Sequence, residues 1–492
     1  MTAPVSPAAG VAETHSAYVF FVGDLAYKLK KPVDLGFLDF TSREAREAIC
    51  HREVELNRRL APDVYLGVAD VHGPDGALCD HLIVMRRMPA DRRLSTMVAS
   101  GAIVQDELWR LAHLLAAFHA RSRPSRESAR EAGGLATRAR WEDNTYALLR
   151  LESLRDDGPA IDAIQGLADR YLDGRSRLFE ARIADGRSVD GHGDLLADDV
   201  FCLDDGPRVL DCIEFDDRLR LGDGLADVAF LAMDLEHLGR PDLAQSFLDA
   251  YREHRGDVWP SSLAHHHIAY RAQVRAKVTA IRAGQQRHEA GLDDARGLLA
   301  LARSHLESAR VRLFLVGGLP GTGKSTIALA IGQAFDATVL HSDHVRKEVA
   351  GLPIDVPARA PFGEGLYGEA HTTSTYETLL RRAAAALGMG QTVVLDASWS
   401  AAGWRERARA VAVACHADLL ELRCDAPEAI AARRITDRDA AGRDASDATP
   451  LIAESMARAA APWPEATTID TDRPVEQTLE AVLSVLRPPS GG

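Results

Sequence analysis

The sequence has few of the features that mark secreted, membrane-bound or disordered chains. Among its 492 residues are only 6 cysteines and 22 prolines, and no apolar run approaches the roughly 18 residues that a membrane span needs. The cysteines are scattered without a Cys-x-x-Cys pair, so we expect free thiols in a reducing compartment, without a disulfide framework or a zinc site. The N-terminus lacks a basic segment followed by an apolar core, so no secretory signal is expected. Together these absences predict a soluble cytoplasmic protein with no membrane partner.

Basic residues are also fewer than acidic residues. Lys and Arg total 58 against 72 for Asp and Glu, which gives a net charge of −14. Because neutralising a phosphate backbone needs clustered Lys and Arg, this balance argues against a broad nucleic-acid surface, although a local basic groove is compatible with it. With 46% hydrophobic residues the chain can bury more than one core, and its length predicts about three compact units.

The first half of the chain shows strands before helices. Two apolar runs within 17–30 are joined at Gly23-Asp24, a turn-forming pair, and a further strand is predicted at about 81–88. Helical patterns dominate the residues that follow. We therefore expect a small sheet lobe over about 15–95 and a helical lobe over about 96–308.

The second half has a different pattern. Over 309–488, short apolar runs alternate with helical segments, which predicts βαβ units and a parallel sheet covered by helices. The remaining residues, 1–14 and 489–492, are expected to be loose ends.

A glycine-rich segment in the second half carries the most specific motif of the chain. GGLPGTGKST at 317–326 matches G-x-x-x-x-G-K-[ST], follows the apolar run RLFLV and begins a helical pattern. Glycines let backbone N–H groups surround a phosphate, the lysine reaches the β- and γ-phosphates, and the serine hydroxyl is a ligand for Mg²⁺. The predicted ATP-binding residues, of which Ser325 is also a magnesium ligand, are Gly318, Leu319, Pro320, Gly321, Thr322, Gly323, Lys324, Ser325 and Thr326.

Two carboxylates follow neighbouring apolar runs of the same half. Asp343 comes after ATVLHS and Asp396 ends QTVVLD, so a parallel sheet brings both to the edge that carries the phosphate loop. Asp343 is a candidate catalytic base for a substrate hydroxyl, and Arg346 is a candidate ligand for a phosphate or carboxylate of that substrate. Asp396 is a candidate magnesium ligand of the Walker B type. The alternative for either carboxylate is a capping role at the end of a strand or the start of a helix.

Arginines on the next predicted helix and the loop after it are candidates for a lid over bound phosphates. Arg434 and Arg438 are the predicted lid residues, and Arg433 and Arg443 lie beside them in the sequence. The alternative is an ordinary exposed surface, because arginine side chains are mostly solvated.

These motifs of the second half resemble the small P-loop kinases, the group that contains gluconate kinase, polynucleotide kinase and zeta toxins. The resemblance covers about 311–488 and rests on the phosphate loop, the Asp343-x-x-Arg346 pair and the run that ends at Asp396. It implies phosphoryl transfer to a small hydroxyl-bearing acceptor, with Asp343 as the base. The motifs do not encode the acceptor.

In the first half, His192-Gly193-Asp194 begins a second group of polar residues. Asp199 follows five residues after Asp194, and Asp211 and Glu214 come on the next predicted strand. An aspartate on such a loop can orient or deprotonate an acceptor hydroxyl, and later oxygen ligands can hold Mg²⁺. Asp194 is therefore the predicted catalytic residue, and the other three are candidate metal ligands.

Two lysines near the N-terminus support a functional role for His192-Gly193-Asp194. Lys28 and Lys30 lie on an early strand, and Glu53 lies on the helix after it. A strand lysine paired with a helix glutamate positions the phosphates of ATP in protein-kinase-like folds. We therefore predict that Lys28 and Glu53 belong to a nucleotide-binding site.

The first half resembles the aminoglycoside phosphotransferase family over roughly 15–290. Tyr27-Lys28-Leu29 matches the strand lysine of the family, Glu53 matches its helix glutamate and His192-Gly193-Asp194 matches its catalytic loop. The resemblance implies a two-lobed protein-kinase-like fold. The order of the two halves is similar to a bacterial family of two-domain proteins that joins such a domain to a P-loop ATPase.

The sequence departs from that family in three places. The usual metal-binding asparagine is Asp199, and the second metal acid aligns with Glu214, for which Asp211 is a possible substitute. Because residues three apart on a regular strand face opposite ways, we expect only one of Asp211 and Glu214 to reach the metal. No glycine-rich turn precedes Lys28, so backbone N–H groups of ETHSAYVF and the Ser16 hydroxyl would have to hold the phosphates. These departures leave open a degenerate domain that binds substrate or regulates its neighbour.

Three further clusters have a structural and a functional explanation. The cations near Tyr270 either line a groove for an anionic substrate or form a solvated helix face, which is the explanation we adopt; they are Arg271, Arg275, Lys277 and Arg282. Asp223 and Asp227 are expected to hold the catalytic loop by hydrogen bonds or to cap a helix. The consecutive His265, His266 and His267 cannot share one helix face, so no metal site is expected there.

The sequence as a whole predicts an α/β and α+β protein. A two-lobed kinase-like domain over 15–308 precedes a P-loop domain over 309–488, and the predicted function is transfer of the γ-phosphate of ATP, with Mg²⁺, to a small-molecule acceptor. Two alternatives stay open: a regulatory ATP-binding protein or ATPase with a degenerate kinase-like domain, and a polynucleotide-kinase-like enzyme, which the charge of −14 disfavours. The acceptor, the choice of ATP over GTP and the oligomeric state are not encoded in these motifs.

Overall fold

The computed structural model describes residues 10–14, 16–34, 39–286, 289–353, 365–441 and 450–486, and the chain divides into two units. The first unit comprises Met1–Gln165, Phe179–Trp259 and Ala264–His305. The second unit comprises Gly166–Leu178, Pro260–Leu263 and Leu306–Gly492.

An antiparallel sheet begins the first unit, in the strand order β1-β2-β3-β5-β4. Its strands are β1 (Gly10–Glu13), β2 (Ala17–Val22), β3 (Leu25–Lys30), β4 (Tyr65–His72) and β5 (Leu78–Arg86). The predicted hairpin over 17–30 is confirmed, because β2 pairs antiparallel with β3 and Gly23 has a φ of 59° in the connection. A left-handed backbone of this kind favours glycine.

Two strands of this sheet were not predicted. Gly10–Glu13 pairs with β2, so the expected loose tail over 1–14 is wrong for these residues, while 1–9 lie outside the described residues. Strand β4 was missed because it is an edge strand with mostly half-buried or exposed side chains, and its sequence contains no long apolar run. The expected tail over 489–492 also lies outside the described residues.

Helix α1 (Arg43–Asn57) covers one face of this sheet. Ser42 caps it, since the Ser42 hydroxyl accepts a hydrogen bond from the Ala45 backbone N–H at 3.1 Å. Cys50 and Val54 on one side of the helix pack with Tyr65 and Ile83 in a buried cluster. Because Glu53 lies beside Val54, this packing holds a carboxylate against the sheet without exposure to solvent.

Helices dominate the chain over 94–308, as expected. They are α2 (Leu94–Ala99), α3 (Gln105–Arg121), α4 (Arg126–Ala132), α5 (Gly134–Leu149), α6 (Gly158–Asp173), α7 (Ser176–Ala184), α8 (Gly224–His237), α9 (Pro241–Arg255), α10 (Ser261–Gln286) and α11 (Glu289–Ser308). Parts of α6, α7, α10 and α11 belong to the second unit. Short strands between α7 and α8 form two antiparallel pairs, β6 with β9 and β7 with β8. Their ranges are β6 (Ser188–Asp190), β7 (Val200–Leu203), β8 (Gly206–Val209) and β9 (Leu221–Asp223). The loop over 191–199 connects β6 to β7.

The second unit contains a parallel sheet in the order β11-β12-β10-β13-β14, as the alternating pattern predicts. Its strands are β10 (Arg312–Gly317), β11 (Thr338–His341), β12 (Val393–Asp396), β13 (Asp418–Asp425) and β14 (Thr467–Asp470). The helices are α12 (Lys324–Ala334), α13 (Ser342–Val349), α14 (Glu369–Gly388), α15 (Ala402–Ala414), α16 (Glu428–Ala441), α17 (Pro450–Ala459) and α18 (Val475–Leu486). Phe314, Ile327, Ile331, Val394 and Leu422 lie in the core between sheet and helices.

The expected fold class, α/β and α+β, is confirmed by these two sheets and their helices. No helix within the described ranges is long and apolar enough to cross a lipid bilayer. The six cysteines are free.

A buried ion triad fixes the helical part of the first unit. Arg182 on α7 binds Asp223 at 2.7 Å and Asp257 at 2.5 Å, and the three side chains are 6%, 5% and 3% exposed. Asp223 also accepts a hydrogen bond from the Leu225 backbone N–H at 2.8 Å and so caps α8, as expected. Burial alone would raise the pKa of Asp223, but the paired guanidinium outweighs burial and lowers it.

We expect Arg182→Met to lower the free energy of unfolding by about 3–5 kcal/mol at neutral pH, because two buried carboxylates lose their shared cation. The ion pair holds the pKa of Asp223 below the unfolded value of about 3.9, so its contribution is complete at neutral pH and is lost as the pH falls through the lowered pKa. Urea unfolding of the full chain at several pH values measures both effects. Arg155→Met is the control, since Arg155 is 76% exposed; an equal loss in both variants would contradict the prediction.

Candidate active site

Two lysines of β3 share one buried carboxylate of α1. Lys28 and Lys30 are two residues apart and therefore project from the same face of the strand. The Lys28 Nζ atom lies 2.8 Å from Glu53 Oε1, and the Lys30 Nζ atom lies 2.5 Å from Glu53 Oε2. The structure thus brings the predicted Lys28 and Glu53 together, and it adds Lys30 as a second cation on the same carboxylate.

Asp211 and Glu214 both reach this lysine pair. Asp211 lies 2.6 Å from Lys28 and Glu214 lies 2.6 Å from Lys30. The expected strand over 211–214 is wrong, because β8 ends at Val209 and Asp211 adopts a φ of 65°. The alternation of a regular strand therefore does not apply, and the expectation that only one of the two carboxylates reaches the metal stays a prediction.

Charge pairing controls the ionisation of this cluster. Burial opposes the charge on Lys28, yet Asp211 and Glu53 outweigh it and hold the pKa of Lys28 well above its usual value. Burial would raise the pKa of Glu53, but Lys28 and Lys30 lower it. Lys28 lowers the pKa of Asp211 to about 2. The lysines and these two carboxylates are therefore all charged at neutral pH.

Asp227 holds the loop that carries His192-Gly193-Asp194. Its carboxylate accepts hydrogen bonds from the backbone N–H groups of His192 at 2.9 Å and Gly193 at 2.8 Å, and the His119 ring lies 3.0 Å away. Burial would raise the pKa of Asp227, but the His119 hydrogen bond outweighs it and lowers the pKa. The expected loop-holding role of Asp227 thus agrees with these contacts.

The two acids of the loop lie in a different electrostatic environment from Asp211. Burial raises the pKa of Asp194 against the opposing charge of Arg275. Burial, with Asp211 and Asp194 nearby, raises the pKa of Asp199 well above its usual value. Since Asp199 has too little positive charge around it, a cation at this point would relieve the repulsion between the carboxylates.

The oxygen donors of this cluster suit Mg²⁺. Asp199, Asp211 and Glu214 offer carboxylate oxygens, the donors that Mg²⁺ prefers. Among the described residues, no group of three His, Cys, Asp or Glu side chains is already arranged around a metal position. That finding is compatible with Mg²⁺, which takes one or two carboxylates together with waters and substrate phosphates.

The connection between β1 and β2 stands where a glycine-rich turn would be expected in a kinase-like sheet. The Thr14 hydroxyl donates to the Ala17 carbonyl at 3.1 Å, and the Lys31 backbone N–H donates to the Ser16 carbonyl at 2.8 Å. Residue 15 lies outside the described residues. The predicted phosphate contacts of the Ser16 hydroxyl therefore stay a prediction.

Arg271 on α10 is not part of a solvated helix face. Its guanidinium donates to the carbonyls of Ala226 at 2.9 Å and Gly193 at 3.4 Å, and it stacks over the rings of Phe230 and Tyr270. The adopted explanation for this residue is corrected, because the helix packs this side against the catalytic loop. Arg282, by contrast, is exposed.

The phosphate loop of the second unit depends on glycine conformation. Gly318, Gly321 and Gly323 have φ values of 135°, 81° and 82°. A Cβ atom at Gly318 would lie 2.5 Å from the Cys424 carbonyl oxygen, so the loop also needs glycine for space. Lys324, the first residue of α12, donates to the Leu319 carbonyl at 2.9 Å across the loop.

Asp396 joins the phosphate loop to the neighbouring strand. The Ser325 hydroxyl donates to Asp396 Oδ2 at 2.6 Å, and His341 Nδ1 lies 2.8 Å from the same oxygen. Burial would raise the pKa of Asp396, but the His341 hydrogen bond, with Lys324 and Ser325, lowers it. A hydroxyl and an ionised carboxylate in contact at the start of α12 are the oxygen donors that Mg²⁺ requires.

Asp343 and Arg346 both lie on α13. Asp343 is its second residue, two positions after β11 ends at His341; His341 is the N-cap, so the alternative capping role of Asp343 is wrong. Arg346 is 8% exposed and donates to the Leu366 carbonyl at 2.8 Å and the Thr372 hydroxyl at 3.2 Å. Its Nε atom is buried without a hydrogen-bond partner.

The predicted lid residues belong to α16. Arg434 donates to the Thr471 carbonyl at 2.9 Å, and its Nη1 atom lies 3.6 Å from where a Cβ at Gly323 would be. Arg438 is on the same helix, Arg433 is exposed, and Arg443 lies outside the described residues. Among the side chains of this group that the structure describes, Arg434 is therefore the one that it brings to the phosphate loop.

Family models match both parts of the chain. Residues 10–263 match the model described as "Phosphotransferase enzyme family". The chain belongs to the phosphotransferase enzyme family. Residues 313–462 match a model described as "AAA domain". The resemblance of the first half to aminoglycoside phosphotransferases and of the second half to P-loop kinases is confirmed.

Relatives of similar length include uncharacterized proteins of two mycobacteria. One, from Mycobacterium tuberculosis, is 42% identical over 483 residues, which cover 98% of this chain and 96% of the relative. A protein of Mycobacterium bovis matches with the same identity and coverage. The match to each relative therefore extends over both units of this chain.

Solved structures match a share of this chain. A choline/ethanolamine kinase family protein from Mesorhizobium loti is 14% identical and covers 62% of this chain and 90% of its own, with a TM-score of 0.39. The Mycobacterium tuberculosis APS kinase in complex with AMPPNP and APS is 22% identical and covers 36% of this chain and 99% of its own, with a TM-score of 0.28. A gluconokinase from Sinorhizobium meliloti is 17% identical, covers 36% and 91%, and has a TM-score of 0.27.

Several residues around these sites were missed in the sequence of this phosphotransferase family member. Asn57 accepts a hydrogen bond from the Cys212 backbone N–H at 2.9 Å and so fixes the segment that carries Asp211. Thr471 donates to the Thr322 carbonyl at 2.8 Å. His341 is the register partner of Asp396 on the adjacent parallel strand, and this pairing of two strand ends was the signal that could have identified it.

We expect Asp227→Asn to loosen the catalytic loop of the phosphotransferase unit. The carboxamide has one acceptor oxygen, so at least one of the His192 and Gly193 backbone N–H groups loses its partner, which costs about 1–3 kcal/mol locally. Hydrogen exchange of the peptide over 190–199, measured by mass spectrometry, should become faster. Asp249→Asn, at an exposed position of α9, should leave exchange unchanged. Equal protection in the two variants would contradict the role of Asp227.

Proposed function

We propose that this chain is an ATP-dependent phosphotransferase that moves the γ-phosphate to a hydroxyl group of a small-molecule acceptor, with a nucleotide site in each unit. The observation that carries the proposal is the contact of Lys28 with Glu53 at 2.8 Å. Lys28 also contacts Asp211, on the segment after β8, at 2.6 Å. A buried lysine held by a helix glutamate is the arrangement that positions ATP phosphates in kinase-like folds.

In the first unit, Lys28 is the proposed ligand of the ATP phosphates. Glu53, which is fully buried, keeps the lysine in place, while Asp211 is 53% exposed and is the partner that a phosphate would displace. Asp194 is the proposed base, and burial raises its pKa, so it holds a proton more firmly than a free aspartate. The hydrogen bonds that the His192 and Gly193 backbone N–H groups donate to Asp227 fix the direction of the loop just before Asp194.

Magnesium would be held by Asp199 with Asp211 or Glu214 in the first unit, and by Ser325 with Asp396 in the second. Mg²⁺, when bound, neutralises charge on the phosphates during transfer. The raised pKa of Asp199 and the 2.6 Å contact of Ser325 with Asp396 support these two donor sets.

In the second unit, the residues over 318–326 are the proposed phosphate cradle. Lys324 would bind the β- and γ-phosphates, and Arg434, with Arg438 on the same helix, would cover them. Asp343 is the proposed base for the acceptor, and Arg346, a buried guanidinium with an unpartnered Nε atom, is the proposed ligand for an acidic group of that acceptor.

The proposed setting is the cytoplasm, with small molecules as partners and without nucleic acid or membrane. The net charge of −14 and the free cysteines support it.

Transfer of labelled γ-phosphate from ATP into a pooled library of sugars, aminoglycosides and other metabolites tests the proposal on the full chain. We expect Asp194→Asn to reduce transfer to the acceptor of the first unit about 100- to 10,000-fold, because that hydroxyl loses its base, while calorimetry still detects two ATP sites. Lys324→Ala should leave one site, because the phosphate loop loses the cation that reaches the β- and γ-phosphates.

Two exposed positions supply the controls. Asp185→Asn in the first unit and Arg381→Ala in the second should change neither transfer nor the number of ATP sites. Label that appears only as free phosphate, with no effect of Asp194→Asn, would contradict the proposal and favour a regulatory ATPase. Label on nucleic-acid ends would instead favour the polynucleotide-kinase alternative.

A further inference from the structure

Three cations of α10 have no carboxylate partner. Arg271 donates only to backbone carbonyls, Lys277 binds the side-chain carbonyl of Asn144, and within the described ranges no Asp or Glu oxygen lies within 4 Å of Arg271, Arg275 or Lys277. The pairing of Arg182 with two buried acids shows the opposite arrangement in the same unit. The cations of α10 therefore stand out in a chain with net charge −14.

Burial raises the free-energy cost of leaving these cations without a paired carboxylate. Removal of solvent lowers the pKa of Arg271 and also lowers the pKa of Lys277. Asp227 and Asp194 act on Arg271, and Asp143 acts on Lys277, but without direct contact, and burial outweighs them. A half-buried cation without a carboxylate in direct contact gains more from an anion than a solvated cation does. This side of α10 is therefore a favourable position for a negatively charged ligand.

The cations lie beside the catalytic loop. Arg271 Nη1 is 3.4 Å from the carbonyl oxygen of Gly193, which is the residue before Asp194. Arg275 is one helical turn further along α10, on the same side of the helix, and its charge acts on Asp194. An anion that pairs with these arginines would thus place the rest of its molecule next to Asp194.

A cavity of about 40 Å³ adjoins Arg271. Its wall includes Arg140, Tyr270 and His267, and the His267 Nε2 atom is buried without a hydrogen-bond partner, in a side chain that is 3% exposed. This unpartnered atom is a second sign, independent of the arginines, that a polar ligand group belongs here.

The acids around the cavity are already paired. Glu131 binds Arg130 and Arg140, Asp223 binds Arg182, and Asp227 accepts from the catalytic loop and contacts His119. None of these carboxylates is left to bind a cationic substrate. Among the described residues of the cavity wall, the charged side chain without an ion-pair partner is Arg271.

We propose that the acceptor of the first unit is an anion, a hydroxyl compound with a carboxylate or phosphate group that pairs with Arg271 and Arg275. The inference rests on the proposed phosphotransferase function. In the reaction, the acceptor hydroxyl oxygen bonds to the γ-phosphorus and its proton passes to Asp194. The bond from the γ-phosphorus to the bridging oxygen breaks, and its electron pair leaves with ADP. Repulsion from the arginines excludes cationic acceptors.

Binding of four small hydroxyl compounds to the full chain tests the proposal without depending on transfer. The probes are glycerol 3-phosphate, glycerate, uncharged glycerol and cationic ethanolamine, measured by ligand-observed NMR with Mg²⁺ and a non-hydrolysable ATP analogue filling the nucleotide sites. We expect the two anions to bind more tightly than the other two, and Arg271→Gln to raise their dissociation constants at least about tenfold. The tighter anion identifies the phosphate or the carboxylate as the preferred group.

Control variants separate the charge effect from misfolding. Arg282→Gln, at an exposed position of the same helix, should leave binding unchanged, and Arg275→Gln should weaken it even if Arg271→Gln fails to fold. Asp194→Asn should keep anion binding. Binding of ethanolamine or glycerol as tight as that of the anions, or binding unaffected by both arginine variants, would overturn the inference. Loss of transfer with anion binding intact would contradict the proposed function alone.

Discussion

The first unit depends on the carboxylate of Glu53 between the ammonium groups of Lys28 and Lys30. Glu53 is fully buried, and an isolated charge in that position would cost several kcal/mol. Two lysines at 2.8 and 2.5 Å offset that cost, and each reaches a second carboxylate, Asp211 or Glu214, on the segment after β8. One charge network therefore ties β3, α1 and the segment beside the catalytic loop into a single arrangement.

The two proposed phosphate sites rely on different physical means. The first unit uses side-chain charge, with Lys28 already ionised and held by carboxylates. The second uses backbone geometry, with left-handed glycines at Gly318, Gly321 and Gly323 and a helix that begins at Lys324. In the first unit, the acids of the cavity wall beside α10 are paired, while Arg271 has no carboxylate within ion-pair distance among the described residues, so the electrostatics at that cavity indicate the sign of charge that a ligand brings.

Much of this architecture was predictable, because regular patterns have local causes. The phosphate loop needs glycines at fixed spacing between a strand and a helix, and the parallel strands β10 and β12 are buried, mostly apolar runs. The Asp211–Glu214 arrangement was not predictable, because the sequence pattern resembles a strand while the backbone turns at Asp211 with a φ of 65°. The environment of Arg271 was also hidden, since helical spacing does not tell which neighbour covers a helix face. Strand β4 lacked a signal because its side chains are mostly half-buried or exposed.

The central claim is that the Lys28 network is a phosphate site that exchanges one carboxylate for nucleotide. A crystal structure of the full chain with Mg²⁺ and a non-hydrolysable ATP analogue tests it most directly. The account predicts that Lys28 keeps its contact with Glu53, now 2.8 Å, and exchanges Asp211 for phosphate oxygens, while Asp211 or Glu214 joins Asp199 at the metal. Nucleotide bound at the phosphate loop alone, with Lys28 still paired to Asp211 at saturating analogue, would contradict it.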